Sequence, residues 1–143
     1  MKEMARDVRI SEISPLRSPD QLSFQLPLTD EDRERIASYR DQVNRIISGE
    51  DRRLLAIVGP CSIHDPKAAI EYAEKLKKLS DELSDQFLVV MRTYFEKPRT
   101  ALGWKGLIID PDMDGTYDMD KGLEVCRKLL LDITHIGLPV GCE

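Results

Sequence analysis

Several things are missing from this 143-residue sequence, and each absence removes a class of function. No apolar run approaches the roughly 20 residues that cross a bilayer, so no membrane-spanning helix is expected. No CxxC pair occurs. Cys61, Cys126 and Cys142 are odd in number and widely spaced, which fits a reducing cytoplasm better than a disulfide framework. Basic charge is not in excess: 21 Lys and Arg against 26 Asp and Glu leave a net charge of −5, which offers no support for nucleic-acid or membrane-surface binding. Met1 to Arg9 mixes charges without an apolar segment, so no secretory signal is expected there. Internal repeats and low-complexity tracts are also absent. What remains is 41% hydrophobic residues, enough for the core of one soluble domain.

The first 28 residues read as an arm. Val8 and Ile10 alternate with Arg9 and Ser11, the period of a short edge strand. Pro15, Pro19 and Pro27 then break up any long regular element. The arm is either a partly ordered tail or a docking strand. From residue 29 onward the pattern is regular. A helix is predicted from about Asp30 to Ser48, capped by Thr29 and closed by Gly49, with Ile36, Tyr39, Val43, Ile46 and Ile47 on its apolar face. Leu54–Val58 is nearly uniformly apolar, as in a strand buried on both faces. Asp65 and Pro66 open a second helix, which buries Ala69, Tyr72, Leu76, Leu79 and Leu83. Phe87–Met91 is a second buried strand. A connection of about 26 residues follows, a length that in compact domains is often functional. The third helix, about Met119 to Ile136, buries Leu123, Cys126, Leu130 and Ile133 and ends at Gly137. Leu138–Cys142 begins a third strand.

The order α, then β-α-β-α-β, implies an α/β fold with parallel strands. A doubly wound sheet is one possibility. The absence of a helix after the last strand points instead to part of an eight-stranded barrel. In either case chemistry collects at the carboxyl ends of the strands. The first end delivers Gly59-Pro60-Cys61-Ser62-Ile63-His64-Asp65, the second Met91-Arg92 and then Tyr94-Phe95-Glu96-Lys97-Pro98-Arg99-Thr100, and the third Glu143. A thiol, two guanidinium groups, an ammonium and a carboxylate on one rim suit metal binding together with phosphorylated anions.

Gly59–Asp65, Arg92–Thr100 and Gly103-Trp104-Lys105-Gly106 resemble the microbial class I DAHP synthases, and the likeness covers nearly the whole chain. These enzymes join phosphoenolpyruvate to erythrose 4-phosphate, giving 3-deoxy-D-arabino-heptulosonate 7-phosphate (DAHP) and phosphate, the first step of the shikimate pathway to the aromatic amino acids. The resemblance implies the N-terminal part of a TIM (β/α)8 barrel, with residues 1–28 an arm and 29–143 its first three strands. It also implies a cytoplasmic homo-oligomer, a tetramer in the family, and a divalent metal ion (Mn, Fe, Zn or Co).

Residue by residue, the resemblance makes Cys61 a metal ligand, the one of four that matches; the family's histidine, glutamate and aspartate ligands have no counterpart here. Arg92 would grip the phosphoenolpyruvate carboxylate, and Lys97 would stand between the substrates as the catalytic residue, able to hydrogen-bond the aldehyde oxygen. Arg99 and Thr100 would hold the phosphate of erythrose 4-phosphate, Lys105 would lie near the rim, and Glu143 near the phosphoenolpyruvate phosphate. Asp7 and Ile10 fall where a phenylalanine-sensitive form contacts its effector, so an aromatic amino acid is implied as inhibitor.

Blander readings stand beside these. Lys97–Thr100 alone would pass as a solvated basic turn, Arg92 as the partner of a surface acid, His64 as a capping residue, Trp104 as a loop anchor, and Cys126 and Cys142 as packing. Asp110-Pro111-Asp112-Met113-Asp114-Gly115 resembles half a calcium loop, but Lys121 stands where a bidentate glutamate belongs. Its acids are expected to solvate the loop and cap the third helix. The alternative to the enzyme reading is a non-catalytic or partner-dependent piece that keeps part of a substrate site, and the 143 residues alone are not expected to catalyse the condensation.

Overall fold

The computed structural model describes residues 13–97 and 102–142. In chain order the elements are α1 (Pro19–Gln25), α2 (Asp30–Ile47), β1 (Leu54–Val58), α3 (Pro66–Glu82), β2 (Phe87–Arg92), α4 (Met119–Ile136) and β3 (Val140–Gly141). The strands form one parallel sheet in the order β1-β2-β3. β1 runs beside β2 from Leu54 opposite Phe87 to Val58 opposite Met91, and β2 meets β3 at Met91–Val140 and Arg92–Gly141. α3 and α4 pack together on one face of this sheet. There Ala69, Ala73 and Leu76 close with Cys126, Leu129 and Ile133 over Val89 and Met91, forming the core.

The helices begin and end where the chemistry of their termini predicts. Thr29 and Asp32 satisfy each other's backbone N–H groups at the start of α2. Asp65 accepts from the amides of Lys67 and Ala68 ahead of α3, with Pro66 in the first turn. Asp118 caps α4, and Gly137 closes it with φ at 91°.

α2 lies across the amino ends of the strands. Its Tyr39 hydroxyl donates to the Gly137 carbonyl (2.6 Å), and Arg35 Nη1 donates to that of Thr134 (2.8 Å). Arg53, just before β1, donates to Gln42 Oε1 at 2.9 Å. The opposite, carboxyl ends are therefore left for the site.

Four expectations need correction. α1 was not foreseen: Pro19 occupies its first turn, where a missing N–H costs nothing, and Ser18 and Gln21 form a capping box. β1 is not buried on both faces, since Leu54 is 63% and Ile57 59% exposed. It pairs on one side only, and α3 and α4 sit over β2. On α3, Tyr72 and Leu79 are exposed while Ala73 is fully buried, because the small side chain lets the helix approach closely. On α4, Leu129 and Leu131 are buried and Leu123 and Leu130 only half so. The strand expected at Val8 and Ile10 lies outside the described residues.

Candidate functional site

β1 and β2 converge tightly at their carboxyl ends because Gly59 has no side chain. A Cβ there would lie 2.5 Å from the Arg92 carbonyl oxygen. This approach brings the Arg92 guanidinium under the first loop, where Nη1 donates to the carbonyls of Pro60 and Cys61, both at 2.7 Å. Its other face stacks on Tyr94, 4.9 Å from the ring centroid. The Ile63 amide donates to the Tyr94 carbonyl at 2.8 Å, so the two loops leave the sheet joined.

The second loop folds back on itself. Glu96 and Gly106 form an isolated antiparallel bridge, and the Lys97 amide donates to the Lys105 carbonyl at 2.8 Å. Gly106 is obligatory for this return: its φ is +119°, and a Cβ would stand 2.3 Å from the Phe95 carbonyl oxygen. The turn carries Lys97 to the first loop, where Nζ donates to Cys61 Sγ at 3.1 Å. Trp104 anchors the far side through Nε1, which donates to the Asp110 carbonyl at 2.7 Å. Gly122, in the first turn of α4, packs directly on the Ile108 carbonyl, so helix and loop meet without intervening side chains.

Cys61, Arg92 and Lys97 thus share one rim, with Lys105 half-buried across the bridge from Lys97. Arg99, Thr100, Glu143, Asp7 and Ile10 lie outside the described residues. His64 is exposed, and it is Asp65 that caps α3. Cys126 is core, its thiol pushed up to about 12 by burial, with Cys142 adding to the shift. Cys142 itself is exposed rather than packed.

The carboxylates of the calcium-like loop are engaged locally, and none of them caps α4 as expected, a role that Asp118 takes. Asp110 is buried and accepts from the Gly115 amide, Asp114 accepts from Thr116, and Asp112 pairs with Lys121 at 2.7 Å. Among the described residues no three His, Cys, Asp or Glu side chains are grouped to hold a metal.

Two residues at the rim were missed. Thr93 is fully buried, and its amide and hydroxyl both donate to the Gly141 carbonyl. Ser62 is buried beside Cys61 with no hydrogen-bond partner for its hydroxyl. Their positions at strand ends were the only signal available.

Comparison with known proteins finds relatives over nearly the whole chain. A model of the DAHP synthetase I family matches residues 25–143. The Tyr-sensitive phospho-2-dehydro-3-deoxyheptonate aldolase of Escherichia coli is 49% identical over 142 residues, covering 99% of this chain and 40% of that protein. The phospho-2-dehydro-3-deoxyheptonate aldolase of Amycolatopsis methanolica is 53% identical over 131 residues, covering 92% of this chain and 64% of that protein. A solved phospho-2-dehydro-3-deoxyheptonate aldolase from Francisella tularensis superposes with a TM-score of 0.89 at 46% identity, over 93% of this chain and 39% of that one. The chain therefore spans about two fifths of the length of two of these proteins and less than two thirds of the third.

Proposed function

The chain belongs to the DAHP synthetase I family, and on that premise we propose that it is the amino-terminal share of an enzyme condensing phosphoenolpyruvate with erythrose 4-phosphate to DAHP and phosphate. The observation that carries this reading is the rim itself: Arg92 bonded to the Cys61 carbonyl and Lys97 bonded to the Cys61 thiol, all at strand carboxyl ends. In this reading β1, β2 and β3 are the first three strands of a TIM barrel whose remainder corresponds to the rest of the relatives' length.

Each group then has a task. Arg92 is already oriented by two carbonyls and a ring, and its planar fork suits a carboxylate better than an ammonium would. Lys97 holds a proton close to where an aldehyde oxygen would gain charge. Arg99 and Thr100 would bind the second substrate's phosphate, Lys105 would serve at the rim, and Glu143 would act toward the phosphoenolpyruvate phosphate. The cationic groups hold together two anions that repel each other.

A divalent metal, when bound, polarises the aldehyde as a Lewis acid. Cys61 is exposed on the rim and fits as one soft donor to it, but the described residues supply no closed donor set. The remaining donors would come from polypeptide equivalent to the rest of the relatives. Asp7 and Ile10 would contribute to a site for an aromatic amino acid in a homo-oligomer.

The test is a hybrid that joins residues 1–143 to the remainder of the Escherichia coli relative. Manganese-dependent consumption of both substrates is expected, abolished by Cys61→Ala and weakened at the phosphoenolpyruvate KM by Arg92→Lys. A folded hybrid that stays active with Cys61→Ala, or whose KM is indifferent to Arg92→Lys, overturns the assignment. The 143 residues alone should be inactive under the same conditions.

A further inference from the structure

We propose that Cys61 and Lys97 form an oxidative modification site, in which peroxide joins Sγ to Nζ through a covalent sulfur–nitrogen (sulfenamide) bond. The two atoms are 3.1 Å apart although 36 residues separate them in sequence. Their backbones are fixed independently. The Cys61 carbonyl is held by Arg92, the loop beyond it by the Ile63–Tyr94 bond, and Lys97 by its amide bond to Lys105. The contact is therefore built by the fold rather than met by a wandering lysine. Cys61 is exposed, so a small oxidant reaches it.

The chemistry balances with hydrogen peroxide as the only added reactant. The Cys61 thiolate attacks one peroxide oxygen, the O–O bond breaks, and the departing hydroxide leaves as water. Sulfur is oxidised by two electrons and becomes sulfenic acid as peroxide is reduced. Sulfenic acids condense with a backbone nitrogen to give sulfenamides, and the side-chain nitrogen in contact with Sγ here, Nζ of Lys97, is placed for the same reaction. Nζ first gives one proton to solvent, its lone pair then attacks Sγ, the S–O bond breaks, and the departing hydroxide takes a second proton from nitrogen and leaves as water. Nitrogen loses two protons in all, the sulfenic oxygen leaves as water, and no further oxidant is required. A thiol reductant attacking sulfur would reopen the bond. The other two cysteines offer contrast. Cys126 is buried with its thiol held protonated, while Cys142 is exposed and could instead compete to form a disulfide.

The experiment treats the 143-residue chain, with its helical far-UV signal verified, with one equivalent of hydrogen peroxide. Remaining thiols are alkylated, and the digest is read by mass spectrometry. The expected product joins the peptides bearing Cys61 and Lys97, lighter by two hydrogens than their sum and released by dithiothreitol. It should vanish in Cys61→Ser and Lys97→Arg, persist in Cys126→Ala and Cys142→Ser, and fall roughly tenfold in concentrated urea, where the proximity is lost. The proposal is overturned if Cys61 proceeds to sulfinic acid, or pairs with Cys142, while the Lys97 peptide stays unmodified. A linked pair that retains an oxygen, or that forms equally in urea, overturns it as well.

Discussion

Replacing Gly59 with alanine should damage the site from its hinge. The position needs no left-handed backbone; what it lacks is room, since a Cβ would stand 2.5 Å from the Arg92 carbonyl oxygen and 3.0 Å from its Cβ. Ordinary contact needs about 3.5 Å, so the strand ends must part by about 1 Å. The bonds from Arg92 to Pro60 and Cys61, now 2.7 Å, would stretch to about 3.7 Å, beyond a hydrogen bond's reach. Overpacking of this kind costs about 1–3 kcal/mol, and weakening two charge-assisted bonds brings the expected total to about 2–4 kcal/mol.

Urea unfolding followed by far-UV circular dichroism would then show a midpoint lowered by roughly 1–2 M. Gly49→Ala is the control. It has φ +81° and open space around its would-be Cβ, so it carries only the conformational cost of about 1 kcal/mol. A Gly59→Ala midpoint no lower than that of Gly49→Ala would refute the crowding argument.

Three further outcomes are expected. Ile133→Ala, at a fully buried core position, should cost about 2–5 kcal/mol and lower Tm clearly more than Leu79→Ala on the exposed side of α3. The Asp51 carboxyl is held down to about 2 by hydrogen bonds from Arg53, so its stabilising contribution is present above about pH 4 and is lost as pH falls through about 2; acid titration of stability in Asp51→Asn should be flatter across that window. Arg17 binds Asp120 and Glu124 and so ties the segment before α1 to the first two turns of α4; Arg17→Ala should speed proteolysis near residues 13–25 while leaving Tm nearly unchanged.

Helix boundaries were legible because caps are local chemistry. Thr29, Asp65 and Gly137 act where their types and spacing predict, and the ends of α2 and α4 agree to within a residue. Burial was less legible. Ile57 is as apolar as Val89, but only Val89 lies beneath α3 and α4, and no local pattern reports which strand ends up uncovered. Pro19 was misread because the same ring that breaks a helix interior favours a first turn. At the site, the residue types pointed to anion chemistry, and the strand ends placed them on one side. The Lys97–Cys61 bond was not readable: it depends on the Glu96–Gly106 bridge turning the loop back, a long-range outcome of Gly106's backbone.

The short hydrogen-bonded rings after Gly103 have a consequence for how the rim assembles. Trp104 closes a ring on Asp110, and Asp110 closes another on Gly115, each spanning fewer than ten residues. Loops of that size close in roughly 10–100 ns, whereas pairing β1 with β2 must first bring together residues about 33 apart. Closure entropy grows only slowly with length, so the saving in free energy is small; the difference is in timing. Were the rings to form first, the site would arise last, when the closed segment docks through Gly106 and Ile108 onto Phe95. Damage to Trp104 would then slow folding, whereas damage at Gly59 would hasten unfolding.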